Sequence, residues 1–355
     1  MKALIQENVP LAPLTTFGIG GPARYFIDAL DEESILDAVH WAKDKHLPLF
    51  ILGGGSNLLV ADAGFPGLVI KVGMRGIEWA NNAGKTTVAA RAGENWDWLV
   101  GLAVERNLGG IECLSGIPGC VGGTPVQNVG AYGQEVSEAI VNVRTYDRYT
   151  DRIMQLSNRD CGFTYRTSIF NTIAKDRYVV LGVSFALTQN GEPAILYPDV
   201  QREFEAAGGT PTLSDVRAAV RRIRRRKAML LVDGDPDCRS AGSFFKNPVI
   251  TEHQFMELEA AASPGVNVPR YPAASGKVKT AAAWLIEQTG FSKGYSLGPV
   301  GLSSKHTLAL VNKGGATAED VLRLAREIRM RVRERFGIEL VPEPVLLGFS
   351  NEVSL

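Results

Sequence analysis

Hydrophobic and polar positions follow one another along residues 15–72 in an order that predicts a small α/β unit. The segment 15–26 has the composition of a glycine turn followed by a short strand. Acidic residues at 31–33 precede an apolar stripe at helical spacing, which predicts a helix because acids are favoured at a helix N-terminus. The apolar runs at 47–52 and 67–72 predict two further strands.

The middle of the chain is rich in Val, Ile, Tyr and Phe, which favour strands. Strands are predicted at 86–92, 139–149 and 178–187. Asn95 is expected to cap a helix, since an apolar stripe that begins at Trp96 follows it directly. The composition shifts to small residues and proline at 206–211, which predicts a domain boundary.

Helical patterns dominate the last third of the chain. The segment 277–288 predicts one helix. Thr317 and Asp320 form a capping-box pattern that starts a long helix, and Gly337 is expected to end it. The apolar segment 339–348 predicts a strand that returns to an earlier sheet.

A further helix, which Ser214 is expected to cap, carries a run of basic side chains at 221–227. Such a run is most often a solvated helix face. A ligand patch stays open as the alternative, in which Lys227 at the end of the helix presents a point charge to a phosphate.

Two glycine-rich stretches interrupt this pattern. In the first, three consecutive glycines at 53–55 precede Ser56 and Asn57. Successive amides in such a turn form a concave anion nest, although an ordinary tight turn has the same composition. The second stretch, 109–133, mixes many glycines with few charges, which indicates a buried backbone surface facing a large ligand. Neither stretch matches the Rossmann or P-loop pattern.

Composition narrows the possible functions. The 355 residues have 38 basic and 38 acidic side chains, so no net field favours nucleic acid or an anionic membrane. The N-terminus shows no secretory leader, and no apolar run reaches bilayer length. The four cysteines lack metal-ligand spacing, so no metal site is predicted. We expect Cys113, Cys120, Cys161 and Cys238 to be buried free thiols in a reducing cytoplasm.

Seven short motifs occur in one order over nearly the whole chain, from about residue 15 to residue 348. They are the segments 16–21, 53–57, 116–119, 127–133, 165–166, 242–248 and 342–343. In these motifs the chain resembles the UDP-N-acetylenolpyruvoylglucosamine reductase family. The segment Leu196-Tyr197-Pro198-Asp199 resembles the family type that carries a substrate-closing tyrosine.

The resemblance implies an α+β fold, with a two-subdomain FAD-binding fold of the vanillyl-alcohol-oxidase type and a C-terminal α+β substrate-binding domain. The expected boundaries are 1–72 with 338–355 for the first FAD-binding subdomain, 73–208 for the second, and 209–337 for the substrate-binding domain. The implied protein is a cytoplasmic, monomeric, FAD-dependent oxidoreductase. It uses NADPH to reduce the enolpyruvyl group of UDP-N-acetylglucosamine enolpyruvate, which gives UDP-N-acetylmuramate for peptidoglycan synthesis.

The resemblance also implies which residues bind the cofactor. The first glycine stretch would cradle the FAD pyrophosphate, and the second would flank the flavin. The matching positions are Gly53, Gly54, Gly55, Ser56, Asn57, Ser115, Gly116, Ile117, Pro118, Gly119, Gly122, Gly123, Asn128, Gly130, Ala131 and Tyr132. The first stretch contains neither His nor Cys, so a noncovalent FAD is expected. A tether through Cys113 or Cys120 remains a minor alternative.

Three residues match the catalytic positions of the family. Ser243 would protonate the substrate carbon next to the carboxylate after hydride has reached the terminal carbon, although a lone serine is more often a turn or cap residue. Arg166 would bind the substrate carboxylate, for which its planar guanidinium is suited. Glu343 would donate a hydrogen bond to that carboxylate or hold a water or an arginine.

Four further residues match substrate-binding positions. Tyr197 would close over the diphosphate of the UDP group, and Lys227, Asn247 and Gln288 would contact the rest of the substrate. The basic helix at 221–227 is also a candidate for binding the 2′-phosphate of NADPH. Outside the resemblance, Tyr197 would be a strand-end aromatic residue and Gln288 a surface amide.

Two other functions compete with the reductase. An oxidase of the same fold would favour a covalent flavin and use oxygen as acceptor. A nonenzymatic sensor of flavin or nucleotide sugar would need no proton donor. The presence of Arg166, Ser243 and Glu343 together argues against both alternatives.

Overall fold

The computed structural model describes residues 5–205, 210–263, 265–273 and 275–350. Residues 206–209 of the predicted boundary at 206–211, and the two ends 1–4 and 351–355, lie outside the described residues. The helices are α1 Glu32–Asp44, α2 Trp96–Glu105, α3 Pro198–Phe204, α4 Leu213–Arg226, α5 Glu252–Ala261, α6 Ala282–Gln288 and α7 Ala318–Phe336. None of the helices in this part of the chain has the length and apolarity that a membrane crossing requires.

The strands are short and numerous. They are β1 Gln6–Pro10, β2 Pro22–Ala29, β3 Leu49–Leu52, β4 Leu58–Val60, β5 Phe65–Val72, β6 Ile77–Asn82, β7 Lys85–Arg91, β8 Leu108–Gly109, β9 Gly130–Ala131, β10 Gln134–Glu135, β11 Ile140–Asp147, β12 Arg152–Ser157, β13 Tyr178–Gln189, β14 Val249–Thr251, β15 Tyr271–Pro272, β16 Lys277–Lys279, β17 Ser296–Leu297, β18 Val300–Leu302, β19 Leu310–Asn312 and β20 Val345–Leu347.

Several helices begin and end where their capping residues predict. The Asn95 side chain accepts a hydrogen bond from the backbone N–H of Trp98 at 2.9 Å and so caps α2. Thr317 and Asp320 form the reciprocal capping box of α7. Gly337 ends that helix in the left-handed conformation, with φ 64°. The capping residues therefore fix these boundaries locally.

Two predicted helix starts are wrong. The helix expected after Ser214 begins two residues earlier, because Thr212 and Asp215 exchange side-chain and backbone hydrogen bonds across its first turn. The helix expected over 277–288 covers only α6. Residues 277–279 form β16 instead, which pairs with β14. The Asn247 side chain accepts the backbone N–H of Ala282 at 3.0 Å, which starts α6 there.

By its contacts the chain divides into two compact units. The first unit comprises Met1–Val9, Ala23–Gly55 and Pro66–Arg226. The second unit comprises Pro10–Pro22, Ser56–Phe65 and Lys227–Leu355. The expected division into three domains stays a prediction.

The first unit contains the two larger sheets. One has the strand order β1-β2-β5-β3, and in it β3 runs parallel to β5. The other is antiparallel, with the order β12-β11-β13-β7-β6 and with β8 beside β13. A single core joins them through fully buried side chains such as Leu68, Trp96 and Phe185. The predicted strands of this unit are confirmed to within a few residues.

The second unit is built from small sheets and long helices. Its sheets have the orders β14-β16-β15 and β17-β18-β19, and β20 pairs in parallel with β4. The last pair confirms the prediction that the C-terminal strand returns to an earlier part of the chain. The predicted apolar stripe of α7 is fully buried in the core of this unit, from Val321 to Val332.

Candidate active site

The first glycine stretch follows β3 and contributes unpaired backbone amides. Within the described residues, the N–H groups of Gly53, Gly54 and Gly55 donate to no protein acceptor. Gly55 has φ +63°, a conformation that favours glycine. Consecutive amides without acceptors are what an anion nest for a pyrophosphate requires, since backbone donors are otherwise nearly always paired.

The two glycine-rich stretches lie against each other in the first unit. A Cβ atom on Gly54 would come within 2.6 Å of the Gly119 Cα, so only glycine permits this approach. A Cβ on Gly122 would meet the Ala92 Cβ at 2.6 Å, which ties the second stretch to the end of β7. Gly123 is exposed, and a Cβ added to it would have no atom within 4 Å. The backbone there borders open space that a large ligand can enter.

Asp97 anchors the centre of the second stretch. Its carboxylate accepts the backbone N–H of Gly116 at 2.6 Å and the guanidinium of Arg217 at 2.7 Å, and it pairs with Arg221 as well. Arg217 also donates to the buried hydroxyl of Ser115 at 3.0 Å. Burial alone would raise the pKa of Asp97, but these hydrogen bonds and charges outweigh it and hold the pKa below its usual value.

A second buried acid fixes the start of this stretch. Glu112 is fully buried and accepts the backbone N–H groups of Gly110 at 2.8 Å and Ala194 at 2.9 Å. It also accepts the Gln134 side-chain amide at 2.9 Å. The Cys113 thiol donates to the Ala194 carbonyl at 3.2 Å. The segment that leads to Tyr197 is thus attached to the second stretch at Ala194.

Arg166 lies against the end of the second stretch. It occupies the tip of a small turn with φ +54°, in which Thr164 and Thr167 pair. Its guanidinium donates to the Gly130 carbonyl at 2.6 Å and contacts the Asn128 carbonyl at 3.5 Å. The structure therefore brings the predicted catalytic arginine together with two predicted cofactor residues.

Asn128 supports this arrangement from inside the protein. It is buried with φ +43°, and its side-chain amide donates to Glu135 at 2.7 Å and to the Thr164 carbonyl at 3.0 Å. Its side-chain oxygen accepts the backbone N–H of Ser137 at 3.2 Å. These partners make Asn128 a support for the turn that carries Arg166.

Ala131 and Tyr132 belong to a tight hairpin between β9 and β10. Tyr132 has φ +50° and Gly133 φ +89°, which suits a two-residue hairpin turn. The Tyr132 ring contacts the Tyr197 ring edge-to-face, with centroids 5.6 Å apart. Tyr197 is half-buried at the N-terminus of α3. A predicted cofactor residue and the predicted substrate-closing tyrosine are therefore neighbours.

The remaining positions of the second stretch have mainly backbone roles. Ile117 packs against the core of the first unit. The Gly119 carbonyl accepts the backbone N–H of Trp96 at 3.1 Å. Pro118 is half-buried between them.

In the second unit, Ser243 and Glu343 lie on paired segments. The backbone N–H of Glu343 donates to the carbonyl of Phe244, the neighbour of Ser243, at 2.9 Å. Phe245 and Pro342 form a β-bridge, and the backbone N–H of Lys246 donates to the Val341 carbonyl at 2.9 Å. Both predicted catalytic side chains are half-buried. Main-chain pairing thus brings together two residues that are far apart in sequence.

Asn57 holds the segment that carries Glu343. Its side-chain amide donates to the Glu343 carbonyl at 3.3 Å, and its own carbonyl accepts the backbone N–H of Val345 at 3.0 Å. Ser56, beside it, accepts a long contact from the Thr16 hydroxyl at 3.5 Å through its carbonyl. By contacts, Ser56 and Asn57 therefore belong with the second unit, whereas the glycines before them belong with the first.

The predicted substrate-binding residues of the second unit are spread out. Asn247 and Gln288 mark opposite ends of α6, because Asn247 caps its start and Gln288 is its last residue. At 1.5 Å per residue this separates them by roughly 10 Å along the helix. Lys227 follows α4 and is half-buried.

The basic run of α4 is neither a uniform solvated face nor a cluster of unpaired charges. Arg221 pairs with Asp97, and both Arg222 and Arg226 pair with Glu203. Arg224 turns toward the second glycine stretch and donates to the Gly116 carbonyl at 3.1 Å. Within the run only Arg225 is an exposed arginine without a hydrogen-bonding or ionic partner among the described residues.

The four cysteines are unpaired, and only Cys113 and Cys161 are fully buried. Cys120 and Cys238 are half-buried, so the expectation of burial is wrong for these two. Burial raises the pKa of both the Cys113 and Cys161 thiols to about 12, which disfavours their reactive thiolates. No group of three or more His, Cys, Asp or Glu side chains in the described residues is arranged to hold a metal.

Sequence reasoning missed Asp97, Glu112 and Arg217, and it placed Arg224 only within the basic run 221–227. One signal was available for Glu112, which is an isolated acid in a stretch otherwise nearly free of charge. Asp97 gives the weaker signal of an acid in the first turn of α2, where it equally serves the helix dipole. The partner of Arg217 lies 120 residues away, so no local pattern indicates it.

Two family models match the chain. The model for an FAD binding domain matches residues 23–153. The model for the C-terminal domain of UDP-N-acetylenolpyruvoylglucosamine reductase matches residues 235–347. Together they support the predicted α+β fold with an FAD-binding part and a C-terminal domain.

Relatives match over nearly the full length. The UDP-N-acetylenolpyruvoylglucosamine reductase of Thermobifida fusca is 48% identical, covering 98% of this chain and 99% of the relative. That of Streptomyces coelicolor is 46% identical, covering 97% and 91%. The crystal structure of the Thermus caldophilus enzyme is similar with a TM-score of 0.66 at 27% identity, covering 97% of this chain and 99% of that one. These similarities confirm the resemblance found in the motifs.

Proposed function

The chain belongs to the UDP-N-acetylenolpyruvoylglucosamine reductase family, and on that premise we propose that Arg166, Ser243 and Glu343 carry out its reaction. That reaction is the FAD- and NADPH-dependent reduction of UDP-N-acetylglucosamine enolpyruvate to UDP-N-acetylmuramate, a step of peptidoglycan synthesis. The observation that supports the proposal is the main-chain hydrogen bond between Glu343 and Phe244, which brings the Glu343 backbone next to the neighbour of Ser243, the proposed proton donor.

The residues of the first glycine stretch suit an FAD pyrophosphate. The unpaired amides of Gly53, Gly54 and Gly55 would donate to its oxygens, and the open backbone at Gly123 would border the rest of the cofactor. When bound, FAD supplies the two-electron redox chemistry that links NADPH to the substrate. We propose that it is held without a covalent bond, because the first stretch has neither His nor Cys and the Cys113 thiol is buried.

Arg166 is proposed to bind the substrate carboxylate. Its turn is fixed by the Thr164–Thr167 pair and by Asn128, so little conformational freedom is lost when it binds. Its guanidinium presents several donors, and a planar carboxylate can accept two of them. As negative charge grows on the carboxylate during reduction, this contact strengthens and stabilises the transition state.

Ser243 is proposed to deliver the proton to the carbon next to the carboxylate. Gly242 precedes it with φ +71°, and Phe244 and Phe245 after it are buried, so the backbone of Ser243 is fixed on both sides. Glu343 would hold the carboxylate or an adjacent water in place. A positioned acid of this kind typically accelerates a reaction by about 10²–10⁴.

The substrate-binding roles remain proposals of the same kind. Tyr197 would close over the UDP diphosphate, and Lys227, Asn247 and Gln288 would contact the sugar nucleotide. We further propose that the protein acts as a monomer in the cytoplasm, where its reductant NADPH is available.

An anaerobic two-step experiment tests the function. NADPH should bleach the yellow holoenzyme, and UDP-N-acetylglucosamine enolpyruvate should then restore the flavin absorbance without oxygen. UDP-N-acetylglucosamine is the matched control, because it lacks the enolpyruvyl double bond and should leave the flavin bleached. If the enolpyruvyl substrate also leaves it bleached, the substrate assignment is wrong.

A further inference from the structure

The Arg224 side chain contacts two parts of the second glycine stretch, the backbone at Gly116 and the side chain of Tyr132. Its Nε donates to the carbonyl of Gly116, in the stretch that flanks the flavin. Its guanidinium also forms a hydrogen bond with the phenol of Tyr132. Both contacts lie within the first unit, and Gly116 also donates its backbone N–H to Asp97, which pairs with Arg217 and Arg221.

Tyr132, which contacts Arg224 through its phenol, also contacts Tyr197 through its ring. The two rings meet edge-to-face with centroids 5.6 Å apart and planes at 86°. Both tyrosines pack against one buried cluster, which is formed by Cys113, Val200, Val216, Val220 and Ile223. Tyr132 also has the left-handed backbone conformation, which is uncommon for an aromatic residue and must be held by its surroundings.

The charge state of the pair suits a fixed hydrogen bond. Burial lowers the pKa of Arg224 from its ordinary value, whereas the contact with Tyr132 raises it. Burial likewise raises the pKa of the Tyr132 phenol. An arginine side chain stays protonated in proteins and has only donors, so the guanidinium donates to the phenol oxygen. A charged donor makes this stronger than a bond between neutral groups.

We propose that Arg224 is a positioning residue for substrate binding. By fixing Gly116 and the phenol of Tyr132, it sets the ring against which Tyr197 rests, so that Tyr197 closes over the substrate diphosphate from a preset position. The inference deepens the proposed function and rests on the role of Tyr197 stated there.

Binding measurements on the oxidised holoenzyme test this role without turnover. UDP-N-acetylglucosamine enolpyruvate is titrated calorimetrically, since it is not reduced while the flavin is oxidised. Arg224→Gln should weaken its binding about tenfold, the effect expected from losing one hydrogen bond to a charged group. Tyr132→Phe keeps the ring and removes the phenol oxygen, and it should weaken binding by a similar factor. Arg225→Gln, an exposed neighbour, should change the affinity less than about twofold.

A double-mutant cycle distinguishes positioning from general damage. In a Tyr197→Ala background, Arg224→Gln and Tyr132→Phe should each weaken binding less than about twofold further, because the residue they position is gone. Full tenfold effects in that background would overturn the proposal. If Arg224→Gln fails to retain FAD, the proposal is tested by the cycle of Tyr132→Phe and Tyr197→Ala alone.

A kinetic control distinguishes the positioning of Tyr197 from a disturbed flavin environment. Tyr132→Phe should raise the KM for the enolpyruvyl substrate by a larger factor than it slows flavin reduction by saturating NADPH. Equal slowing of both half-reactions would contradict positioning through Tyr197. Failure of wild-type reoxidation by the substrate would instead reject the proposed function, so the two failures are distinguishable.

Discussion

The second glycine stretch and the strip that carries Ser243 and Glu343 are held in opposite ways. Side chains hold the second glycine stretch, residues 109–133: Asp97 of α2 and Arg224 of α4 bind its backbone from outside, and Glu112 binds it from within. Main-chain pairing holds the catalytic strip, residues 242–247 with 341–345. A glycine-rich backbone cannot form regular ladders around a ligand, so its shape depends on side-chain anchors instead.

This difference distinguishes residues that hold the backbone in place from residues that are proposed to act in the reaction. In the catalytic strip main-chain hydrogen bonds hold the backbone, so its shape does not depend on side-chain anchors. In the second glycine stretch the polar side chains of Asp97, Glu112 and Arg224 form hydrogen bonds with the backbone. Substitutions in the two regions should therefore affect different measurements.

The largest expected effect is on rate, at Ser243. Ser243→Ala should slow flavin reoxidation by the enolpyruvyl substrate by about 10²–10⁴, since a positioned acid is lost. Flavin reduction by NADPH and the melting temperature should stay close to wild type. Anaerobic stopped-flow absorbance measures both half-reactions. A variant that reoxidises at the wild-type rate would show that another group donates the proton.

Asp97→Ala should mainly reduce stability. The substitution leaves Arg217, Arg221 and the Gly116 N–H without their shared acceptor, and we expect a loss of about 2–4 kcal/mol in the free energy of unfolding. Urea unfolding of the apoprotein measures it. Glu203→Ala is the matched control, because its pairs with Arg222 and Arg226 are exposed on the arginine side and worth about 1 kcal/mol or less.

Lys246→Pro tests the main-chain pairing of the catalytic strip. It removes the N–H that donates to the Val341 carbonyl, at an expected cost of about 1–3 kcal/mol, and it should also slow substrate-dependent reoxidation. Lys246→Ala keeps the backbone donor and should change unfolding by about 0.5 kcal/mol or less. Equal loss in both variants would mean that the side chain, and not the pairing, holds the strip.

The smallest effect is a pH dependence at Asp97. Its pKa is lowered in the folded state, so it contributes stability above its unfolded pKa of about 3.9, and this is lost as pH falls through the folded value. The melting-temperature difference between wild type and Asp97→Asn should therefore shrink below about pH 4. A difference that stays constant from pH 7 to pH 3 would contradict the paired carboxylate.

Local sequence signals predicted the elements better than the site. The capping residues Asn95 and Thr317 act on neighbours three residues away, so pattern reasoning found them. The sequence analysis missed β16, because its partner β14 lies far upstream. Pairing with a distant strand produces no periodic pattern of apolar residues in the sequence. Thr212 and Ser214 are both good caps, and only the reciprocal bond with Asp215 distinguishes them.

The candidate site depended on the family resemblance. That resemblance named Arg166, Ser243 and Glu343 but gave no geometry, whereas the structure places Glu343 beside Phe244 and Arg166 against Gly130. The anchors Asp97 and Arg217 are ordinary charged residues on two helices. They belong to the site because they form an ion pair in the folded protein, which their positions in the sequence do not indicate.

The attachment of Ala194 to Glu112 and Cys113 closes a loop of 81 residues. The entropy of closing a ring grows only with the logarithm of its length, so about ten extra residues would cost about 0.1 kcal/mol. The turn around Ile173 lies within this ring, and Ile173 is 91% exposed. An affinity tag or fluorescent reporter inserted at that turn should leave the Tyr197 segment in place.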